Sequence, residues 1–232
     1  RWREKPLLAE HTVSQWNGMT PVSQTTQINQ MQNAQTLGEI ERWRAINQYL
    51  YQTVPDDTAV QRSRKELNDR EHFSIQHSST WSESKSDQQQ LLNQLKGSNE
   101  QNHWTRLNSP WMNDHYRLFA DHTYRWSKYQ EEKIDDQRVG LGLEWNKQRK
   151  AASILLSNSV DDSRFGVELD WTHALNDHWQ YRLNFNTQAD IPLQAIRDSY
   201  EGESYLVGLN WQQNESRKAG LQYQLTDIDD GN

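Results

Sequence analysis

The chain has 232 residues, of which 33% are hydrophobic, a mean hydropathy of -1.12 and a net charge of -7. That excludes one large dry core running through the whole length, and the lack of any apolar run of about 18 residues excludes a transmembrane helix. An acidic balance without a sustained basic cluster excludes a nucleic-acid backbone as partner, whereas a transmembrane barrel stays open because its apolar band occupies every second residue. Cysteine is absent, which removes disulfides and thiolate chemistry and is compatible with a bacterial envelope protein. Eleven Trp and nine Tyr suit carbohydrate faces, bases or membrane interfaces, since each ring is flat, apolar and polar at one edge. The opening RWREKPLL carries neither Met nor a signal pattern and reads as part of a longer protein.

Residues 1–70 read as helical. Pro21 and Pro55 are separated by the 34-residue tetratricopeptide period. Gly38 stands where that repeat opens its second helix, and Ala9 where helix packing wants a small residue. Val22–Gln35 is expected as a first helix, Gly38–Val54 as a second with the stripe Ile40, Trp43, Ile46, Leu50, and Asp57–Arg70 as a closing helix. Trp43 and Leu50 occupy sites where the repeat prefers Ala, so an ordinary helical bundle is the competing reading.

Residues 71–232 read as strands. In QRVGLGLEWNK the apolar set is Val139, Leu141, Leu143 and Trp145; FGVELDWTH and WQYRLNFNT alternate in the same way, which puts an apolar set and a polar set on opposite faces. Nine strands are expected: His72–Trp81, Asn102–Ser109, His115–Trp126, Gln137–Asn146, Lys150–Asn158, Phe165–Ala174, Trp179–Gln188, Ser204–Gln212 and Lys218–Thr226. Short connections alternate with long ones at Ser82–Gln101, Ser127–Asp136, Ser159–Arg164 and Ala189–Glu203, the plan of an up-and-down outer-membrane barrel and not a requirement of a Greek-key sandwich. Trp145, Trp171, Trp179 and Trp211 fall near the short-turn ends; Trp81, Trp104, Tyr124, Trp126 and Tyr205 fall near the long-loop ends. Two such belts fit two lipid interfaces, against a soluble sheet whose rings cap a core.

VGLGLEW (139–145), WTHALNDHWQYRL (171–183), IPLQAIRDSYEGES (191–204) and YLVGLNWQQNESRKAGLQYQLTDIDD (205–230) together resemble the poly-N-acetylglucosamine export porins, the PgaA or HmsH family. The resemblance implies an α+β chain: the end of a periplasmic tetratricopeptide region, then an antiparallel meander forming the N-terminal half of an outer-membrane barrel. It implies export of a partly deacetylated glucosamine polymer, membrane lipid around the barrel, and a periplasmic polysaccharide deacetylase docked by the helices. DIDDGN lacks a terminal aromatic strand, so further strands are expected to follow it.

If the apolar face meets lipid, the other lines a lumen through Asp121, Glu144, Glu168, Asp170, Arg117, Arg125, Arg138 and Arg182, with loop acids at the mouth. Acidic walls would concentrate a cationic polymer, and weak repeated contacts would let it pass; with four arginines on the same wall, plain solvation is the equal alternative. Glu168 and Asp170, two apart, would stand roughly 7 Å apart on one strand face, near an inverting glycosidase spacing, yet any polar strand face gives as much. His173 and His178 are near each other, but no zinc-ligand spacing, calcium loop, P-loop or G-x-S-x-G occurs. No catalytic residue, metal or cofactor is therefore expected. Ile191, Leu193 and Ile196 predict that the Ala189–Glu203 loop folds inward or packs on a neighbour. The rivals are a soluble Trp-rich carbohydrate-binding β module, a cellulose or alginate secretion barrel, and an outer-membrane hydrolase.

Overall fold

The computed structural model describes residues 5–16, 23–83, 99–129, 132–161, 164–197, 199–214 and 216–229. Four helices come first: α1 (Pro6–Trp16), α2 (Gln24–Leu37), α3 (Ile40–Thr53) and α4 (Thr58–Asp69). Their ends follow from local chemistry. Ser23 caps α2 by accepting from the Thr26 amide at 3.2 Å, and Asp57 caps α4 through the Ala59 and Val60 amides at 2.8 and 3.2 Å. Gly38 closes α2 in the left-handed region at φ 69°, where a Cβ would be strained.

The helical stripe of α3 buries Ile40, Trp43, Asn47 and Leu50 against Met31, Ala34, Val60 and Leu67. Asn47 is a polar residue inside this core. Its Nδ2 donates to Val60 O at 3.1 Å and Ser63 Oγ at 3.0 Å, and Trp43 Nε1 donates to Ser63 Oγ at 2.6 Å. The group is satisfied, so its burial is tolerated.

The strands are β1 (Ser74–Glu83), β2 (Asn99–Asn108), β3 (Tyr116–Tyr129), β4 (Glu132–Lys147), β5 (Lys150–Ser159), β6 (Phe165–Ala174), β7 (Trp179–Asn186), β8 (Glu201–Asn214) and β9 (Arg217–Asp229). They form one antiparallel sheet in sequence order, β1 to β9, an open partial barrel among the described residues. One expectation is corrected. Ser127–Asp136, read as a long loop, is mostly ladder: Trp126 pairs with Asp135, Ser127 with Ile134 and Lys128 with Lys133. The charged EKIDD run hides a strand because its one apolar residue, Ile134, lies on the charged face while Lys133 and Asp135 take the other, leaving no apolar alternation to detect.

Cross-strand register sorts side chains onto two faces. Leu118, Val139, Leu141, Ile154, Leu169, Leu183, Leu209 and Leu221 fall on one, and large side chains there stay open: Leu141 is 71% exposed and Leu221 73%. The residues following the seventh strand form a short α5 (Leu193–Arg197). Ala189, Ile191, Leu193 and Ile196 close on Ile134 of β4, which shares its face with Arg138 and Glu144. The loop therefore folds over the charged face, one of the two outcomes expected for it. Gly202 makes this possible, since a Cβ there would stand 2.5 Å from Ile191 Cγ2.

The helices sit on the short turns. Asp177, in the β6–β7 turn, accepts from the Leu7 and Leu8 amides at 3.1 and 3.0 Å and pairs with Arg149 at 2.9 Å. These are the free amides of the first turn of α1, so a distant turn supplies the cap. In the β2–β3 turn, Asp114 pairs with Arg44 at 2.7 Å and its carbonyl accepts from Arg70 Nη2 at 2.8 Å. Burial, partly countered by the Asp114 charge, holds the Arg70 guanidinium below its ordinary range.

Candidate functional site

The charged face is a ladder of cross-strand ion pairs. Arg117 and Glu144 are direct register partners, 2.6 Å apart. Arg106 and Asp121 are likewise opposite, and the guanidinium makes two parallel bonds of 2.6 Å, the fork geometry that matches a carboxylate. Arg182 reaches Asp170 diagonally at 2.6 Å. Arg138 holds Asp136 at 3.0 Å and donates to Gln188 O at 3.0 Å, and Arg125 reaches Ile191 O at 3.1 Å. These two arginines thus tie the folded-in loop to the wall. Glu168 is different: Asn184 Nδ2 donates to it at 3.1 Å and also to Asp170 at 3.3 Å.

All eight charged residues singled out from the sequence for this face, Arg125 included, stand on it. Pairing them was beyond sequence reasoning, which missed Arg106 and counted Asp136 with the loop acids at the mouth, whereas it lies in β4 opposite Arg125. The signal was present in parity: Arg106 lies opposite Asp121 once the hairpin register is known.

Between β2 and β7 this face forms a trough of about 390 Å³. Its lining includes Asn102, Trp104, Arg106, Asp121, Thr123, Glu168, Asn186 and, from the loop, Gln188 and Asp190. Trp104 is a second correction. It was counted with the long-loop belt, but its register partners are Ser78 and Thr123, which put it on the charged face.

The other strand tryptophans fall on the apolar face, as do Phe185 and Tyr205. Trp145 stacks on Trp171 with centroids 6.0 Å apart, Trp179 lies opposite Trp211 at 6.4 Å, and Tyr205 approaches Phe185 at 5.0 Å. Trp126 Nε1 donates to Gln101 Oε1 at 3.0 Å. An apolar groove of about 510 Å³ runs among Leu143, Trp145, Ile154, Trp171, Phe185 and Val207.

On β1 and β2 the apolar face turns polar. His77 lies 2.9 Å from Thr105 Oγ1 and 2.8 Å from Ser79 Oγ, and Ser79 Oγ lies 2.8 Å from His103 Nδ1. Each polar atom in that row finds a lateral partner, the condition for polar groups at membrane depth. His173 and His178 take separate partners, Tyr181 OH at 3.4 Å and Gln212 O at 2.8 Å.

The family model described as the PgaA membrane beta barrel domain matches residues 80–232. Over 131 residues the chain is 25% identical to the poly-beta-1,6-N-acetyl-D-glucosamine export protein of Escherichia coli strain K12, and equally to that of Escherichia coli O157:H7. Each match covers 55% of this chain and 16% of the relative, so the chain corresponds to a small part of those proteins. A solved structure described as a bacterial polysaccharide outer membrane secretin aligns with a TM-score of 0.51 at 19% identity. It covers 70% of this chain and 53% of that one, a likeness of fold alone. With that family matched over more than half of the chain, on an open meander with one apolar and one charged face, the chain belongs to the PgaA membrane β-barrel family of the bacterial outer membrane.

Proposed function

We propose that the charged face lines the path by which a β-1,6-linked N-acetylglucosamine polymer crosses the outer membrane, and that transport involves no catalysis. The observation carrying this reading is the division of the sheet into an open apolar face and a face of paired charges. Lipid solvates the first, with Trp145, Trp171, Trp179, Trp211, Trp126 and Tyr205 at its interfaces. Sugar hydroxyls exchange hydrogen bonds with the second, and neutralised ion pairs offer donors and acceptors without a strong net field. The cargo is carried over from the names of the curated relatives. Asp170 is committed to Arg182, which argues against its use as a hydrolytic base beside Glu168.

The helices form a tetratricopeptide-like periplasmic platform in this reading. A groove of about 350 Å³ lined by Arg44, Gln48, Tyr51, Arg64 and Asn68 is its docking face for a partner such as the polysaccharide deacetylase. Conductance of the full-length protein in planar bilayers tests the path. Channels that close when poly-N-acetylglucosamine is added are expected; a protein that inserts but never conducts would sink the proposal.

A further inference from the structure

We infer that the outward face of the β3–β4 hairpin tip, with the neighbouring ends of β1 and β2, seats the phosphorylated headgroup of an outer-leaflet glycolipid, held by Lys128 and Lys133. This rests on the helices lying on the periplasmic side, as proposed above, so that the hairpin tip points to the cell surface. Height follows from the register. Tyr116 and Trp145 face each other at the short-turn end, and Trp126 pairs with Asp135 ten residues further along β3. At about 3.4 Å per residue that is about 34 Å of strand. A tilt of about 40° reduces it to about 26 Å, close to the apolar band of an outer-membrane barrel, about 25 Å tall. Trp126 thus stands at the upper lipid interface. Lys128, two residues on, stands about 5 Å above it, among headgroups.

Lys128 and Lys133 are direct register partners on the outward face, and both are exposed. Like charges directly opposite destabilise a strand pair, and an anion seated between them removes that repulsion. Asp135 approaches Lys133 at 3.9 Å, whereas Lys128 has no ion pair with a side chain among the described residues. Lys133 is drawn over two rings, 5.9 Å from the Tyr124 centroid and 6.0 Å from that of Trp126, and its ammonium donates to Tyr124 Oη at 3.2 Å. The charge is held at the interface and not out in solvent.

The surroundings suit a sugar headgroup better than acyl chains. Trp81, 65% exposed, and Trp126 flank Gln101 at one level, and flat rings there serve the C–H faces of sugars. Below them His77, Ser79, His103 and His122 share the outward face. On β1–β3 the polar surface therefore reaches further down than on β6 and β7, whose outward residues run through Trp171, Leu169, Val167, Leu183 and Phe185. Beyond Tyr205 the outward residues of β8 and β9 are Glu201, Glu203, Asp227 and Asp229. Acids there repel phosphate and direct it to the β3–β4 sector.

The test uses the full-length protein in detergent micelles, titrated with lipopolysaccharide, with the same lipid after enzymatic removal of its lipid A phosphates, and with inorganic phosphate. Lys128→Gln combined with Lys133→Gln should weaken binding of the intact lipid by about tenfold and leave binding of the dephosphorylated lipid unchanged. Equal affinity of wild type and double variant for the intact lipid overturns the site, as does a wild type indifferent to loss of the phosphates. Inorganic phosphate bound as tightly as the lipid would leave a free-anion site and overturn the lipid. Orientation is checked separately with Arg62→Cys, on an exposed position of α4. It should react with a membrane-impermeant maleimide only after the cells are opened; reaction in intact cells overturns the periplasmic placement of the helices and this inference with it. A protein that passes that check yet ignores the lysines refutes the lipid site alone.

Discussion

In the helical region Met31, Leu50 and Val60 are fully enclosed, whereas in the sheet Ile75, Leu141, Leu221 and Tyr223 are 65–73% exposed. The two regions share a polar composition but are built for different surroundings. The helices solve the usual problem of hiding apolar side chains from water. The sheet turns its apolar side chains outward and gathers its charges on one face, where they pair with one another. Its buried apolar cluster among the described residues, around Ile134 and Ile191, belongs to the loop that covers the charged face. Burial therefore identifies the core in one region and, in the other, the place where a loop has been drawn inward.

The sharpest way to break this contrast is at Trp43. Trp43→Ala should cost about 3–5 kcal/mol by opening a cavity in a closed core, and it removes a donor from Ser63. Urea unfolding followed by helical circular dichroism should show that loss, with the strand signal unaffected. Next comes the apolar face. Leu141→Arg in the full-length protein should cost about 2–4 kcal/mol in a lipid bilayer, measured by reversible folding into vesicles, while Leu141→Ala costs far less than Trp43→Ala. Equal costs for the two alanine variants would mean that the sheet has a conventional core. The smallest expected effect lies at the junction. Asp177→Ala leaves the first-turn amides of α1 and the Arg149 guanidinium without their carboxylate, at about 1–3 kcal/mol. Hydrogen exchange at Leu7 and Leu8 should accelerate while exchange in β5 and β6 holds; unchanged exchange would show that Asp177 is not what fastens α1 to the sheet.

Legibility in the sequence followed the strength of the local signal. The strand Phe165–Ala174 was readable to the residue because FGVELDWTHA alternates without a break. The β3–β4 hairpin tip was not, because Lys133 and Asp135 share the nominally apolar face with Trp126 and Tyr124, and polar residues on both sides erase the period. Trp104 misled for a related reason. In NHWTRLNS the apolar residues Trp104 and Leu107 are three apart, so they cannot share a strand face, and only pairing with β3 decides which one lies with Asp121. His77, Ser79 and His103 met without warning, since register alone brings β1 and β2 side chains together.

The sequence by itself determined that there is a helical region and then strands, that the strands alternate, and which charged residues share a face. Those properties depend on neighbours within a few residues, where the periods of 3.6 and 2 are written directly. Tertiary structure decided which charges neutralise one another, that Glu168 has no ion pair among the described residues, that Trp104 joins the charged face, and that residues 189–197 lie over it. Each of these depends on hydrogen-bond register between strands or on contacts across more than fifty residues, and a one-residue slip would reverse every one of them.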